Sequence, residues 1–183
     1  MNSLFILGSS RGDGQTARLA REVFRHLGFE ESADAEFVDL GALDIGPYDY
    51  EYRNRGDDFL PVAQKMVRSR TIVFASPLYW YSMSGQMKIF FDRLTDLTDP
   101  PLKPLGKALA GKTMFALGTG GNPEPPDSFV HPFEDTAGYF HMDWGGFFYA
   151  KGADALEPQT QDAAKDFAAR IAAVAAPLPA CTA

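Results

Sequence analysis

Short apolar runs alternate along this chain with segments whose apolar residues recur at helical spacing. The runs predict five strands, at residues 3–8, 36–40, 71–75, 112–117 and 146–150. Parallel strands need a crossover between them and are buried on both faces, so apolar runs separated by helices favour parallel pairing. The pattern therefore predicts an α/β sheet with helices on both faces.

Four segments carry apolar side chains at the spacing of one helix face. The stripes are Ala20, Val23, Phe24 and Leu27; Phe59, Val62, Ala63 and Met66; Met83, Met87, Phe90 and Leu94; and Ala164, Phe167, Ala168 and Ile171. Gly28 closes the first helix, and Pro100 with Pro101 stops the third. The proline-rich stretch that follows gives a weaker signal, and residues 129–141 are predicted as an irregular helix. Together these elements predict a flavodoxin-like three-layer sandwich with a five-stranded parallel sheet of order 2-1-3-4-5.

Length and composition limit the size, partners and compartment of the protein. With 183 residues, 45% of them hydrophobic, the chain predicts one domain over residues 1–176 and a tail at 177–183. Its net charge of −7 argues against nucleic-acid binding, which needs an excess of lysine and arginine. Cys181 is the only cysteine, and no run approaches the ~20 apolar residues that cross a bilayer. We therefore expect a cytoplasmic protein that binds neither nucleic acid nor membranes.

The loop after the first strand is a candidate anion site. Residues 8–16 read Gly-Ser-Ser-Arg-Gly-Asp-Gly-Gln-Thr and lead directly into the first helix. Glycines let backbone N–H groups converge, a helix N-terminus favours an anion, and Arg11 adds a full positive charge. The loop lacks the lysine of a nucleoside-triphosphate loop and the spacing of a dinucleotide fingerprint, so a monophosphate fits better. The alternative is a simple turn with an N-cap.

The loops after the third and fourth strands are also unusual. Three consecutive aromatic residues, Tyr79, Trp80 and Tyr81, follow the third strand, where a planar apolar ligand would explain them. They could instead pack into the core or into a dimer contact. Residues 118–123 read Gly-Thr-Gly-Gly-Asn-Pro and have little side-chain bulk, so their backbone could approach the edge of a flat ring. The three loops together predict a site for one mononucleotide.

Residues 6–16 and 76–93 resemble the NADPH-dependent FMN reductase family, and the resemblance extends over roughly residues 3–150. It implies a flavodoxin-like fold, usually dimeric, and two-step chemistry. A nicotinamide passes hydride to FMN, and a quinone, a nitro or azo compound, a metal ion or free flavin then accepts the electrons. By resemblance the phosphate contacts are Ser9, Arg11, Gly14, Gln15 and Thr16. The ribityl and ring contacts are Pro77, Leu78, Tyr79 and Trp80, and the far edge of the ring meets Gly118, Thr119, Gly120 and Gly121.

Within that family the chain is most similar to the iron–sulfur flavoproteins, which share a related phosphate loop and a paired aspartate like Asp57-Asp58. Where those proteins carry a cysteine cluster, residues 45–55 contain no thiol, so no iron–sulfur cluster can form there. Gln15 stands where the family usually has asparagine. We expect no other metal site, because the histidines lack metal-ligand spacing.

If FMN binds, the cofactor carries the redox chemistry, so we expect no catalytic side chain. Tyr48, Tyr50, Tyr52 and Phe59 either wall the substrate site or only order a long loop. The co-substrate is NADPH or NADH, and candidate contacts for a 2′-phosphate are Arg53, Arg55 and Lys151. We expect Lys88, Asp92 and Arg93 to be structural.

The predicted function is thus an FMN-dependent NAD(P)H oxidoreductase, a homodimer or higher homo-oligomer, that reduces a small-molecule acceptor. Two alternatives remain from the sequence. A flavodoxin-type electron carrier would hold the same FMN but exchange single electrons with proteins. A flavodoxin-like domain without flavin would act through interactions alone.

Overall fold

The computed structural model describes residues 2–28, 35–152 and 157–175. The predicted tail at 177–183, with Cys181, lies outside these ranges. Five parallel strands form one sheet of order β2-β1-β3-β4-β5, which confirms the predicted topology. The strands are β1 (Ser3–Leu7), β2 (Ala35–Asp39), β3 (Thr71–Pro77), β4 (Thr113–Gly120) and β5 (Asp143–Lys151). The helices are α1 (Gln15–His26), α2 (Phe59–Arg68), α3 (Gly85–Arg93), α4 (Lys103–Lys107), α5 (Asp127–Tyr139) and α6 (Pro158–Ala175).

Alternation of side chains along the strands divides the core into two layers. Phe5 and Leu7 point toward α1 and α6, whereas Leu4 and Ile6 point toward α2, α3 and α5. The three inner strands are in register, with Ser3 opposite Thr71 and Thr71 opposite Thr113. Both faces of the sheet are therefore covered, as their continuous apolar runs require.

Several element boundaries differ from the predicted ones. β4 continues to Gly120 rather than ending at Leu117, and β5 begins at Asp143 rather than Gly146. Met83 lies before α3, because Ser84 caps that helix. The sequence also missed the short helix α4 and two 3₁₀ turns at Leu40–Ala42 and Leu94–Leu97. Short elements carry too few periodic positions to be read from pattern alone.

No helix within the described ranges is long and apolar enough to cross a membrane.

Candidate functional site

Three loops meet at the carboxyl edge of the sheet and are joined by hydrogen bonds. The Gly8 amide donates to the Ala75 carbonyl at 2.8 Å, which ties the end of β1 to β3. The Leu78 amide donates to the Thr119 carbonyl at 2.8 Å, which ties β3 to β4. The buried hydroxyls of Thr16 and Thr119 lie 2.6 Å apart and join α1 to β4. The edge is thus one connected surface, in the place where open α/β sheets bind ligands.

The loop before α1 leaves the N-terminus of that helix open. Its N-cap, Gly14, offers no side chain to the first-turn amides, and no acidic residue lies in the first turn. These amides have no acceptor within the helix, so the positive end of its dipole is unneutralised. Arg11 lies beside it with 75% of its side chain exposed, 3.9 Å from the exposed Asp13. The geometry suits an anion that approaches from solvent.

Two predicted phosphate contacts, Ser9 and Thr16, have buried hydroxyls with partners inside the protein. The Ser9 hydroxyl accepts from the Arg11 amide and donates to the Arg11 carbonyl, each at 3.2 Å. The Thr16 hydroxyl is engaged with Thr119. Arg11 and Gln15, in contrast, are exposed. Within this loop, Ser9 and Thr16 therefore fix the backbone, while Arg11 and Gln15 present exposed polar groups.

Two arginines of α1 donate hydrogen bonds to backbone carbonyls of the same loop. Arg18 donates through Nε to the Asp13 carbonyl at 3.1 Å, and Arg21 donates to the Gly12 carbonyl at 2.6 Å. A Cβ on Gly12 would approach the Asp39 carboxylate to 2.8 Å, so a larger residue would displace that side chain. These contacts brace the loop, and a braced loop loses less entropy when it binds a ligand.

The aromatic residues after β3 form a tight turn that projects into solvent. Tyr79 and Ser82 exchange backbone hydrogen bonds at 2.9 and 3.1 Å, and Trp80 and Tyr81 between them have φ angles of 49° and 67°. Left-handed backbone is costly for bulky residues. The side chains of Tyr79, Trp80 and Tyr81 are 50%, 94% and 63% exposed, so the core-packing alternative is wrong. We call residues 79–82 the aromatic turn.

A serine that the sequence did not single out holds this turn in place. Ser128, in the first turn of α5, donates its hydroxyl to the Tyr81 carbonyl at 2.8 Å. No local signal could have found it, because the two residues are 47 positions apart in the chain.

The structure continues β4 into residues 118–120, where the sequence predicts a loop of little side-chain bulk. Gly118 and Gly120 belong to the strand, and a Cβ on either would come within 2.6 Å of a neighbouring aromatic side chain, Phe129 or Tyr149. Protein packing therefore explains these two glycines. Gly121 is exposed, and a Cβ there would meet nothing within 4 Å, so its backbone alone is open to a ligand.

A small pocket of about 140 Å³ separates the aromatic turn from the end of β4, and its walls include Leu78, Trp80 and Gly121. On one side, Tyr149 donates its hydroxyl to the Asn122 carbonyl at 3.1 Å. Burial raises the pKa of that hydroxyl, so it stays protonated as a donor. The pocket is too small to enclose a nucleotide, so a ligand here would lie along an open surface.

The sequence profile of the NADPH-dependent FMN reductase family matches residues 1–142, most of the chain. The chain belongs to this family. Its relatives include YwqN of Bacillus subtilis, a candidate NAD(P)H-dependent FMN-containing oxidoreductase, which is 28% identical over 161 residues covering 83% of this chain and 86% of YwqN. An iron–sulfur flavoprotein of Methanocaldococcus jannaschii, MJ1083, is 28% identical over 144 residues, 73% of this chain and 71% of that protein.

Among solved structures, RosB with a bound 8-demethyl-8-formylriboflavin-5′-phosphate superposes with a TM-score of 0.76 at 13% identity, over 96% of this chain and 79% of that one. The likeness supports the flavodoxin-like fold. Because the chain belongs to this family, FMN is the cofactor whose fit to the three loops matters.

The segment from 44 to 58, which we call the tyrosine loop, is tied to the protein by a buried arginine. Arg93 is only 2% exposed and donates to the carbonyls of Gly46 and Asn54 at 3.0 and 3.1 Å. It also pairs with Asp57 and with Asp96, the latter at 2.8 Å. Arg93 is therefore structural, as the sequence predicts, and Lys88 pairs with Asp92 on the exposed face of α3 as expected.

Burial alone would raise the pKa of Asp57. Hydrogen bonds from Arg93 and from the amides of Phe59 and Gly46 outweigh that effect, so the pKa of Asp57 is lower than its ordinary value. The charged pair between Asp57 and Arg93 therefore persists at neutral pH and anchors both ends of the tyrosine loop.

The residues predicted to wall a substrate site lie in different environments. Phe59 is fully buried in α2 and packs on Phe90, so it cannot line a substrate site. Tyr48 and Tyr50 contact each other edge to face with ring centroids 5.1 Å apart, and Tyr50 is largely exposed. The Arg55 guanidinium lies 3.5 Å from the centroid of the Tyr52 ring. The three tyrosines thus at least order their own loop.

The three candidate contacts for a 2′-phosphate differ in their ion pairs. Arg53 pairs with Asp49 and lies 3.7 Å from Glu51, and Arg55 lies 3.6 Å from Asp96. Lys151, at the end of β5, is exposed and has no ion-pair partner within the described ranges.

Proposed function

We propose that this protein is an FMN-dependent NAD(P)H oxidoreductase that reduces a small-molecule acceptor. The observation that carries the proposal is the open N-terminus of α1, with Arg11 beside it and the aromatic turn on the neighbouring strand. The residues present fit FMN, because an uncapped helix suits its phosphate and an exposed aromatic surface suits its ring.

In this arrangement the first-turn amides of α1 bind the phosphate, and Arg11 and Gln15 add a charge and an amide from the exposed side. Ser9 and Thr16 keep the loop in shape rather than reach the ligand through free hydroxyls. Pro77 and Leu78 border the ribityl chain, and Tyr79 and Trp80 cover one side of the ring. The backbone near Gly121 meets its far edge.

When bound, FMN supplies hydride acceptance and electron donation, and the protein supplies position and a polar environment. A nicotinamide gives up two electrons and one proton as hydride. A quinone that receives the two electrons needs a second proton, which water provides at this open edge. No side chain is required as acid or base, and we propose quinones, nitro or azo compounds, metal ions and free flavin as the acceptor classes.

The visible absorption spectrum tests cofactor binding first. Protein mixed with FMN and freed of unbound flavin should retain the flavin absorbance, and anaerobic stopped-flow mixing with NADPH or NADH should bleach it. A flavin that stays oxidised with both nicotinamides would favour a one-electron carrier and overturn the reductase. A protein that retains no FMN would overturn both redox functions.

We further propose that the partner in solution is a second copy of this chain. Three large aromatic side chains exposed on one turn are costly in water and favour contact with another surface. Sedimentation velocity of the FMN-loaded protein should give a dimer or larger assembly. A purely monomeric protein at micromolar concentration would contradict this.

A further inference from the structure

A second and larger cavity lies at the opposite, amino edge of the sheet. It encloses about 690 Å³ between α4 and the end of α5. Its lining residues Gly106, Lys107 and Ala110 come just before β4, and residues 138–141 come just before β5, whereas the loops of the flavin site come after the strands. The cavity is therefore separate from the candidate flavin site, and it is large enough for a small organic molecule.

The charge of this cavity is opposite to that of the chain. Its ionisable side chains include the bases Lys103, Lys107 and His141, and no carboxylate is among the residues that line it. The chain as a whole carries 24 acidic and 17 Lys or Arg residues. Lys103 and Lys107 lie one turn apart on α4, and neither has an ion-pair partner in the part of the chain that the structure describes. Two unpaired ammonium groups on one wall favour an anion.

Backbone strain occurs at the rim of the same cavity. The end of α5 is closed by bonds from the His141 amide to the Gly138 carbonyl at 3.1 Å and from Met142 to Ala137 at 2.9 Å. In this C-terminal motif the left-handed position is usually glycine. Here His141 occupies it with φ of 55°, and it is among the residues that line the cavity. Strained non-glycine residues cluster at functional sites, and this one lies beside the basic wall.

The remaining walls are aromatic and rigid. Tyr139 is 65% exposed and contacts Phe140 edge to face, with ring centroids 5.1 Å apart. On the floor, α4 packs directly on the preceding 3₁₀ turn, since a Cβ on Gly106 would lie 2.3 Å from the Leu97 carbonyl oxygen. The cavity thus combines a closely packed floor, an aromatic wall and a basic wall.

We propose that this cavity is a second ligand site for a planar aromatic compound that bears a carboxylate or phosphate. The ring lies against Tyr139 and Phe140, and the anionic group lies toward Lys103, Lys107 and His141. The proposal does not depend on flavin chemistry, because it rests on residues at the other edge of the sheet.

Amide chemical shifts measured on the full-length protein test the proposal with 2-naphthoate as the probe. Saturable shifts should appear at residues 97–110 and 138–141 and not in the loop at 8–16. The neutral analogue 2-naphthylmethanol should bind at least tenfold more weakly. In a parallel titration, adenosine 5′-monophosphate separates a phosphate-bearing ligand from a carboxylate-bearing one, and binding of neither probe overturns the proposal.

Variants locate the site and separate charge from shape. The double variant Lys103→Gln/Lys107→Gln should weaken naphthoate binding at least tenfold, whereas Lys165→Gln, an exposed lysine on α6, should leave it unchanged. Ala110→Phe should block the cavity without changing charge, and it keeps the test valid if the double variant fails to fold. Equal weakening by Lys165→Gln, or equal affinity for the neutral analogue, would overturn the proposal.

Discussion

Helices α1 and α3 both begin at the carboxyl edge of the sheet, yet their N-termini differ. At α3 the Ser84 hydroxyl accepts from the Met87 amide at 3.1 Å and donates to the Gly8 carbonyl at 2.6 Å. At α1 the N-cap is Gly14, and no side chain caps the first turn. The first-turn amides of α3 thus have a side-chain acceptor, whereas those of α1 have none within the described ranges.

The difference shows that the position of a helix in this fold does not by itself leave its N-terminus uncapped. Both helices carry the same dipole and follow neighbouring strands. What distinguishes α1 is the absence of a capping side chain together with a braced, glycine-rich approach. We therefore expect the capping contacts at α3 to contribute to stability and the uncapped end of α1 to contribute to ligand binding.

A capping side chain at the start of α1 should cause the largest change in FMN affinity. The Gly14→Asp variant should weaken FMN binding about a hundredfold, or ~2.7 kcal/mol, because the carboxylate occupies the first-turn amides and repels the phosphate. The backbone at Gly14 has φ of −69°, which aspartate tolerates. Fluorescence titration of FMN gives the dissociation constant.

Gly14→Ala is the matched control, since it adds a Cβ in the same place without a cap or a charge. Its affinity for FMN should stay within about threefold of the parent. Unchanged affinity in Gly14→Asp would mean that the phosphate does not bind at this helix end.

Removal of the hydroxyl that caps α3 should instead lower the stability of the protein. Ser84→Ala should lower the free energy of unfolding by about 2 kcal/mol, because the Met87 amide and the Gly8 carbonyl each lose a buried partner. Urea unfolding of the apoprotein measures this. Ser10→Ala, at an exposed position before α1, should change stability by less than about 0.5 kcal/mol. A larger loss for Ser10→Ala than for Ser84→Ala would contradict the comparison.

The sequence was sufficient for the strands and for the fold class, because apolar runs are local signals, and the α/β alternation then favoured the flavodoxin-like strand order that the structure has. The anion site before α1 stays a prediction. Apolar runs such as residues 71–75 mark buried strands, and a glycine-rich stretch that enters a helix predicts an anion loop. The loop predicted at residues 118–120 was wrong, because these residues are fixed by contacts with distant segments of the chain. Gly118 and Gly120 have loop composition, but they are small because Phe129 and Tyr149, from later segments, occupy the space beside them.

The roles of individual site residues were also beyond local pattern. Ser9 and Thr16 match a phosphate-binding motif, yet their hydroxyls are committed to Arg11 and Thr119 inside the protein. Phe59 belongs to an aromatic series, but its place in the α2 stripe puts it in the core. For Thr16 and Phe59 a tertiary contact decided what the side chain can reach, whereas for Ser9 it was a turn within the loop itself.

Removal of the Arg11 charge beside the N-terminus of α1 should have an intermediate effect on FMN affinity. Arg11→Gln should weaken FMN binding about tenfold, or ~1.4 kcal/mol, since the exposed guanidinium is partly screened by water and by Asp13. The affinity of the parent should also fall more steeply with added salt than that of the variant.

Arg68→Gln serves as the control, because Arg68 is exposed at the end of α2, away from the carboxyl edge. It should leave FMN affinity unchanged. Equal losses in the two variants would point to overall charge rather than to a contact at α1.

The smallest effect should come from the hydrogen bond that holds the aromatic turn. Ser128→Ala removes the donor to the Tyr81 carbonyl and should weaken FMN binding about threefold, or ~0.7 kcal/mol, because the strained turn then samples other conformations. Ser128→Thr keeps the hydroxyl and should restore most of the affinity. A purely structural role would lower the free energy of unfolding in Ser128→Ala and leave FMN affinity unchanged. Loss of affinity with rescue by threonine would instead show that the contribution of the aromatic turn to binding depends on the contact from α5, whereas the α1 site is built within one loop and the helix that follows it.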